Sequence, residues 1–224
     1  MIDTLAATGI DLERLNVKYS QLSPAERITE LFQDFNRVLV TSSFGSTSLI
    51  LLDLIARVQP EHPVHFINTG YHFSETMAYQ KEIANRLGLQ IIELKAKKWQ
   101  NEITTSERMW ESHPDVCCSV NKVEPLEEAK LQHDVWISGL MGWQSNSRKN
   151  MSLFEQKESI IKFHPLIDFD AEEVRYTIKN LNLPQHPLLK KGFESIGCSH
   201  CTVAGNSREG RWAGRQKIEC GLHL

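Results

Sequence analysis

Cysteines are the residues whose spacing in this chain points most directly to chemistry. Cys117 and Cys118 are adjacent in "PDVCCSVNKVEP", and Cys198 and Cys201 form a "CSHC" turn about eighty residues later. A CxxC turn brings two thiolates to one metal or cluster, and a second cysteine pair completes four ligands. Because neighbouring side chains diverge, the adjacent pair suits two irons of a [4Fe-4S] cube better than one zinc ion. A structural zinc site and two unrelated buried pairs are the alternatives.

A fifth cysteine, Cys220, stands alone in the last six residues, "ECGLHL". It is either a spare exposed thiol or a reactive one. The chain starts without a basic segment followed by a long apolar one, and no apolar run approaches the ~18 residues that span a bilayer. We therefore expect a soluble cytoplasmic protein with no membrane partner. In that reducing compartment, cysteines are expected to be ligands or nucleophiles rather than disulfide partners.

Length and charge limit the possible classes of protein. The chain has 224 residues, of which 41 % are hydrophobic, and it can bury one substantial core. We expect a single domain with a possible terminal appendage. The formal net charge of −3 argues against a nonspecific nucleic-acid binder, because such proteins usually carry a basic excess. Any anion site must therefore be built locally.

Short apolar strands alternate with helices along the chain. The first strong helix signal has Ser23 as N-cap, Pro24 at the first helical position and Glu26 three residues after the cap. The alternation predicts an α/β fold with a mostly parallel central sheet and helices on both faces. Ligands bind such sheets at the carboxyl ends of the strands. The predicted strands lie within residues 37–43, 63–70, 89–96, 133–140 and 159–168, and later helices within 49–58, 74–88 and 170–182.

Two predicted strand ends carry groups suited to an anionic ligand. The segment "TSSFGSTS", residues 41–48, offers hydroxyls, backbone N–H groups and the positive end of a helix dipole to a phosphate or sulfate. It lacks the lysine and the spacing of a Walker A loop, and an ordinary capped helix start is the alternative. The next strand end, "INTG", could face a nucleotide. The candidate contacts are Ser42, Ser43, Phe44, Gly45, Ser46, Asn68, Thr69 and Gly70.

Seven short motifs together resemble one enzyme family. They are "SSFGSTS", "INTGYHFSET", "CCSVNKVEPL", "GLMGWQS" followed by an arginine, "IGCSHC", "REGRW" and "ECGLH". From about residue 25 to the C-terminus, the sequence resembles the assimilatory adenylyl-sulfate reductases, of the adenylyl-sulfate and phosphoadenylyl-sulfate reductase family. The resemblance implies an adenine nucleotide α-hydrolase-like fold and a [4Fe-4S] cluster. It also implies reduction of an activated sulfate to sulfite and AMP, with thioredoxin or a similar dithiol protein as electron donor.

The resemblance gives Cys220 a role. Its thiolate would attack the sulfonyl sulfur, expel AMP and leave a Cys–S–SO₃⁻ intermediate. A mobile tail would let the same sulfur meet first the nucleotide and then thioredoxin. The corresponding division of the chain is an N-terminal arm at 1–22, a nucleotide-binding and iron–sulfur reductase domain at 23–205, and a C-terminal tail at 206–224.

The substrate is a dense polyanion and needs cations supplied by the protein. Positions that match the family are Lys122, Arg148, Arg208 and Arg211. Guanidinium groups bind phosphate and sulfate bidentately and also lower the pKa of an approaching thiol. If residues 118–122 are helical, Lys122 lies about one helical turn beyond Cys118 and could link cluster and substrate electrostatically. His223 is a further candidate for binding the substrate or orienting the tail. Solvated surface positions are the alternative for all five residues.

Two departures from the family pattern bear on the substrate. Met141 stands where the family often has an arginine, so one anion contact is missing or supplied elsewhere. The loop "FGSTS" lacks the acidic residues that many iron–sulfur members carry after the glycine, and such residues would repel a 3′-phosphate. The four paired cysteines still favour adenylyl sulfate over its 3′-phosphorylated form, which is the alternative substrate.

Two rival functions come from other classes. The same scaffold hosts ATP pyrophosphatases, including tRNA thiolation enzymes, but these carry an SGGxDS-type loop, and "SFGSTS" lacks the aspartate. A non-catalytic nucleotide or redox sensor would leave Cys220 incidental. Turnover of adenylyl sulfate with thioredoxin separates both rivals from a reductase. A homo-oligomer is possible.

Overall fold

The computed structural model describes residues 9–158, 160–206, 208–214, 217, 221 and 222. Cys220 and His223, both in the predicted mobile tail at 206–224, lie outside these residues. Among the described helices, none is both long and apolar enough to cross a bilayer.

A six-stranded sheet forms the centre of the molecule. The strands are β1 (Val38–Ser42), β2 (Val64–Ile67), β3 (Ile91–Leu94), β4 (Val135–Ile137), β5 (Phe154–Lys157) and β6 (Ile160–Phe163), in the spatial order β3-β2-β1-β4-β6-β5. All neighbours pair in parallel except β5 and β6, which form an antiparallel hairpin at one edge. The strand order reverses between β1 and β4, and such a switch point leaves a crevice for a ligand. The predicted mostly parallel α/β sheet is confirmed.

Helices surround this sheet. They are α1 (Leu12–Ser20), α2 (Pro24–Asp34), α3 (Leu49–Val58), α4 (Ser74–Leu87), α5 (Lys98–Ser106), α6 (Met109–Ser112), α7 (Pro114–Cys118), α8 (Glu124–Lys130) and α9 (Ala171–Asn180). A π-helical turn, Ser119–Val123, joins α7 to α8. The capping box predicted for α2 is present, since Ser23 and Glu26 satisfy each other's backbone N–H groups. Helices α5, α6 and α8 lie where the sequence predicts none, whereas the helical winding considered for residues 118–122 is present as the end of α7 and the π-helical turn.

The sheet is covered on both faces, as predicted. Along β1, Val38 and Val40 belong to the main hydrophobic core, which includes α3. Leu39, between them, packs on the opposite face with Leu126 of α8 and Trp136 of β4. Successive side chains of a strand point to opposite faces, so β1 contributes to both hydrophobic cores.

Helix α1 packs closely on the sheet. Tyr19 is fully buried, and its ring meets Phe154 and Phe163 edge-on at centroid distances of 4.8 and 5.7 Å. The Asn16 side chain bonds both the N–H and the C=O of Phe154. The division of the chain at residues 22 and 205 stays a prediction, and the described part of the arm shares the core of the main body.

Candidate active site

A cavity of about 280 Å³ opens at the carboxyl ends of β1, β2 and β4. Its walls come from the turn after β1, the segments after β2 and β4, and the loops that carry "CSHC" and "REGRW". The predicted residues that line it are Ser42, Ser43, Gly45, Ser46, Thr69, Lys122, Arg148, Cys198, Arg208 and Arg211. Distant parts of the sequence therefore converge where an α/β sheet binds its ligand.

The hydroxyl-rich turn, residues 41–48, is held by hydrogen bonding within it and to a distant loop. Ser48 Oγ accepts a hydrogen bond from the N–H of Gly45 at 2.9 Å, and Ser46 Oγ donates to the carbonyl of Glu194 at 2.7 Å. Phe44 does not line the cavity, contrary to the expectation for its side chain. It is fully buried and meets Phe66 edge-on at 5.6 Å, while its φ of 49° lies in the left-handed region. Phe44 thus anchors the turn rather than contacting a ligand.

Only one of the three residues predicted at the end of β2 reaches the cavity. Thr69 lines it and lies 3.4 Å from Cys198 Sγ. Asn68 instead closes the local turn by accepting a hydrogen bond from the N–H of Gly70 at 3.0 Å. Gly70 has a φ of 78°, and a Cβ at this position would stand 3.3 Å from the amide of Asn101. Asn68 and Gly70 therefore shape the turn that presents Thr69.

Gln144, which was not among the predicted site residues, orients Arg148. Nη1 of Arg148 donates to Oε1 of Gln144 at 2.6 Å, and Nε2 of Gln144 donates to Oγ1 of Thr47 at 3.2 Å. Gln144 thus fixes the arginine against the hydroxyl-rich turn. Met141, where the family often has an arginine, is fully buried in the main core. Its side chain contributes nothing to the cavity.

The guanidinium group of Arg211 packs against the Trp212 ring and the backbone of Ile196. Its guanidinium carbon is 4.5 Å from the centroid of the Trp212 ring, and its Nη1 is 3.4 Å from the carbonyl oxygen of Ile196. A Cβ on Gly197 would stand only 2.4–2.8 Å from three guanidinium atoms. Glycine at position 197 therefore gives the guanidinium room beside the cavity.

The four paired cysteines line a second, smaller cavity beside the first. Trp110 and His200 stack above it with centroids 4.1 Å apart. Burial and the three neighbouring thiols raise the pKa of Cys117 to about 11. Burial would also raise the pKa of Cys198, but Lys122 and Thr69 outweigh it and lower that pKa. Deprotonating this set of thiols therefore requires positive charge nearby.

The donor set suits a cluster of several irons. Within the described residues, no three or more Cys, His, Asp or Glu side chains converge as the ligands of one metal ion. In a [4Fe-4S] cluster each of the four thiolates binds a different iron, so the sulfurs need not meet at one point. All four sulfur-bearing residues nevertheless line the same cavity. We expect Cys117, Cys118, Cys198 and Cys201 to hold such a group.

The two cavities share three residues, Thr69, Lys122 and Cys198. Lys122 is 8 % exposed and lies at the end of the π-helical turn that follows Cys118. A buried ammonium is costly unless an opposite charge faces it. Its position suits it to face thiolates on one side and an anionic ligand on the other.

Comparison with known proteins identifies the family. Residues 37–204 match the model of the phosphoadenosine phosphosulfate reductase domain. The chain belongs to this reductase family. It is therefore an oxidoreductase, and its family acts in sulfate assimilation.

Named relatives of the reductase fall into two groups. Adenosine 5′-phosphosulfate reductase of Bacillus mycoides (strain KBAB4) is 41 % identical over 84 % of this chain and 85 % of its own length. Phosphoadenosine 5′-phosphosulfate reductase of Gloeobacter violaceus is 35 % identical over 97 % of this chain and 96 % of its own length.

Solved structures agree with the fold. The crystal structure of phosphoadenylyl-sulfate reductase from Candida auris, a phosphate complex, has a TM-score of 0.75 and 28 % identity, and it covers 87 % of this chain and 98 % of its own. FMN adenylyltransferase of Candida glabrata has a TM-score of 0.58 at 14 % identity, over 90 % of this chain and 70 % of its own, and shares the fold alone.

Two further polar residues of the reductase line the cavity without having been predicted. Thr76 of α4 and Ser138, directly after β4, are both buried and each bonds a buried histidine. The only sequence signal for Ser138 was its place at a strand end in "WISGL". The described tail residue Leu222 also lines the cavity and packs on the hydrophobic cluster around Trp136.

Proposed function

We propose that the protein reduces adenylyl sulfate to sulfite and AMP, with a [4Fe-4S] cluster held by the four paired cysteines. Thioredoxin or a similar dithiol protein supplies the electrons, and Cys220 carries the sulfur between steps. The observation that supports this best is the junction of the two cavities. A pocket lined by basic residues and a four-cysteine cavity share Lys122 and Cys198.

The pocket has the chemistry to hold a nucleotide with a charged end. Ser42, Ser43 and Ser46 line the same cavity as Arg148 and Arg211. Guanidinium groups bind sulfate and phosphate oxygens bidentately and remain charged in a partly buried site. The site thus supplies locally the positive charge that a protein with a net charge of −3 lacks overall.

The proposed cluster, when bound, supplies a charged group that ties the "CCSV" helix to the "CSHC" turn beside the substrate. Lys122 would stabilise the thiolate of Cys118 and an oxygen of the bound anion at the same time. Thr69, 3.4 Å from Cys198 Sγ, would hold that sulfur by a hydrogen bond. The stacked Trp110 and His200 would limit access of water to this side of the site.

The reaction itself is assigned to Cys220. Its thiolate attacks the sulfonyl sulfur, a sulfur–sulfur bond forms, and the sulfur–oxygen bond to AMP breaks with its electron pair leaving on the phosphate. A thioredoxin thiolate then attacks Sγ of Cys220, and sulfite leaves with the electron pair of the sulfur–sulfur bond. The second thioredoxin thiol releases Cys220. One dithiol is oxidised to a disulfide, and the transferred sulfur gains two electrons.

Substitution of Cys220 tests this assignment. Cys220→Ser should retain iron and bind AMP but form no sulfite, because a serine hydroxyl is a poor nucleophile without a dedicated base. Wild-type protein given adenylyl sulfate without thioredoxin should release about one AMP per chain and gain the mass of one SO₃ group on the peptide that contains Cys220. An adduct on the "CSHC" peptide, or full turnover by the serine variant, would contradict the mechanism.

Anaerobic purification tests the cluster and the substrate together. We expect about four irons and labile sulfide per chain, as a four-thiolate cube requires. Sulfite formation should be faster from adenylyl sulfate than from its 3′-phosphorylated form, which is the substrate named for the Gloeobacter relative. Stoichiometric zinc without labile sulfide would contradict the cluster, and the reverse preference would favour the alternative substrate.

A further inference from the structure

Three polar side chains connect the pocket to the surface of the protein. Ser138 lines the pocket, and its Oγ is 2.8 Å from Nδ1 of His164. His164 is completely buried, and its Nε2 is 3.5 Å from Oε2 of Glu155 in β5. The side chain of Glu155 is 33 % exposed. The histidine therefore lies between a pocket hydroxyl and a carboxylate that reaches solvent.

The groups on either side of the His164 ring favour one arrangement of its protons. Burial, the largest influence, lowers the pKa of His164, so the ring is neutral near pH 7. A neutral imidazole has one N–H group and one lone pair. A lone pair on Nε2 would face the carboxylate of Glu155 with no proton between them. The proton is therefore on Nε2, and Nδ1 is the acceptor.

The position of the proton on His164 determines whether the hydroxyl of Ser138 donates or accepts a hydrogen bond. Because Nδ1 of His164 can only accept, the O–H of Ser138 must donate to it. The oxygen of Ser138 then has only lone pairs to offer to the pocket. An anionic sulfate or phosphate oxygen placed against it would be repelled, whereas an N–H or O–H group of a ligand would be bound.

We propose that Ser138 is a specificity-determining residue that accepts a hydrogen bond from a donor group of the bound adenine nucleotide, with His164 and Glu155 as its positioning residues. This proposal rests on the proposed function. The donors of such a nucleotide are the exocyclic amine of the base and the free hydroxyls of the ribose. The amine and the ribose hydroxyls are alike in being neutral hydrogen-bond donors.

A second buried histidine leaves a different hydroxyl of the same pocket able to donate a hydrogen bond. Nδ1 of His186 accepts a hydrogen bond from the N–H of Leu188 at 3.2 Å, so its proton is on Nε2. That Nε2 donates to Oγ1 of Thr76 at 3.1 Å. Thr76 therefore keeps its own O–H free of this bond and can act as a donor. The pocket thus has one hydroxyl fixed as an acceptor and another that is able to donate.

Nucleotide analogues test the role of Ser138. The full chain, purified anaerobically, is titrated calorimetrically with AMP, inosine monophosphate, 2′-deoxy-AMP and 3′-deoxy-AMP. Ser138→Ala should weaken AMP binding about tenfold, since a ligand donor loses its partner. One analogue lacks the donor that meets Ser138, and it should bind wild type and Ser138→Ala equally. The analogue that behaves in this way identifies the base or the ribose as the source.

The outcomes of the titration separate the two hypotheses. If wild type binds none of the four nucleotides, the proposed function fails and this inference fails with it. If wild type binds AMP but Ser138→Ala binds it equally well, or loses the same affinity for all four nucleotides, only the inference fails. Should Ser138→Ala not fold, Ser138→Cys has nearly the same size with a weak acceptor and takes its place.

The positioning residues have a spectroscopic test. ¹⁵N chemical shifts of the His164 ring should show a proton on Nε2 and none on Nδ1. Glu155→Gln, whose amide can donate or accept, should give mixed tautomers and weaken AMP binding about threefold. The matched control is Glu158→Gln, an exposed glutamate of the same hairpin, which should change neither property. A proton on Nδ1 in wild type, or unchanged shifts and affinity in Glu155→Gln, would overturn the proposal.

Discussion

The ammonium nitrogen of Lys122 lies 3.9 Å from the Sγ of Cys118. The two residues are one turn apart, and the intervening backbone is π-helical. The lysine is therefore directed at the cysteine cavity by the local winding of the helix, while it also lines the larger pocket. This geometry makes Lys122 the residue best placed to interact with both proposed ligands.

Removing this ammonium group should weaken anion binding. For Lys122→Ala we expect a loss of about 2–4 kcal/mol in the binding free energy of AMP or adenylyl sulfate, because a buried charge–anion contact is lost. Calorimetry on anaerobic protein measures it. Lys98→Ala is the control, since the side chain of Lys98 is 91 % exposed. Equal affinities for Lys122→Ala and wild type would show that Lys122 does not bind the anion.

Adding a methyl group at Gly197 should displace Arg211. The added Cβ would stand 2.4 Å from Nη2 of Arg211, so the guanidinium must move. Gly197→Ala should weaken AMP binding by about as much as Arg211→Ala, roughly 2–4 kcal/mol for a contact to a buried anion. In the double variant the two losses should not add, because both remove one interaction. Additive losses would show that Gly197 acts independently of Arg211.

The packing of α1 predicts a large contribution to stability. Tyr19 of α1 is fully buried against the β5–β6 hairpin, and its hydroxyl donates to Asp34 at 2.8 Å. Tyr19→Ala should lower the free energy of unfolding by about 3–5 kcal/mol, as aromatic truncations in cores do. Val17→Ala in the same helix, where Val17 is 65 % exposed, should change it by less than about 0.5 kcal/mol. Urea unfolding monitored by circular dichroism compares them, and similar losses in both variants would contradict this packing.

A buried histidine predicts acid sensitivity in a defined pH range. Burial lowers the pKa of His186 from 6.5 to about 4. Between these two values the unfolded chain binds more protons than the folded one, so stability falls as the pH decreases. The slope from this residue is at most about 1.4 kcal/mol per pH unit. His186→Gln should flatten the measured slope between pH 6.5 and 4, whereas His113→Gln, at an exposed position, should not. An unchanged slope in His186→Gln would contradict the assignment.

The sequence was most informative where hydrophobic pattern and motif coincide. The five predicted strands are present, because each is a short apolar run bounded by turn residues. Strand β5 was missed, since its sequence "FEQK" lacks an apolar run. Helix α5 was missed because Trp99 and Ile103 are exposed and only Thr104 is buried. Such a helix has no apolar stripe for a sequence pattern to reveal.

The candidate site was predictable in its charges and cysteines but less so in its neutral polar groups. Residues such as Arg148 and Lys122 follow a family motif. Phe44 lies within such a motif, yet its left-handed backbone turns the side chain into the core. Ser138 depends on His164, which follows a different strand. The local sequence does not predict a hydrogen bond between Ser138 and His164, because this bond arises from the parallel pairing of β4 and β6.

The two cavities share part of their lining, and this bears on how ligands in them affect each other's binding. Thr69, Lys122 and Cys198 each belong to both, and any effect of a ligand in one cavity on the free energy of filling the other must be equal in the reverse direction. For the proposed cluster, a saturating nucleotide that contacts Lys122 should therefore change the amount of iron that the protein retains at equilibrium with a chelator. Loss of the proposed cluster should change the affinity for the nucleotide by the same factor.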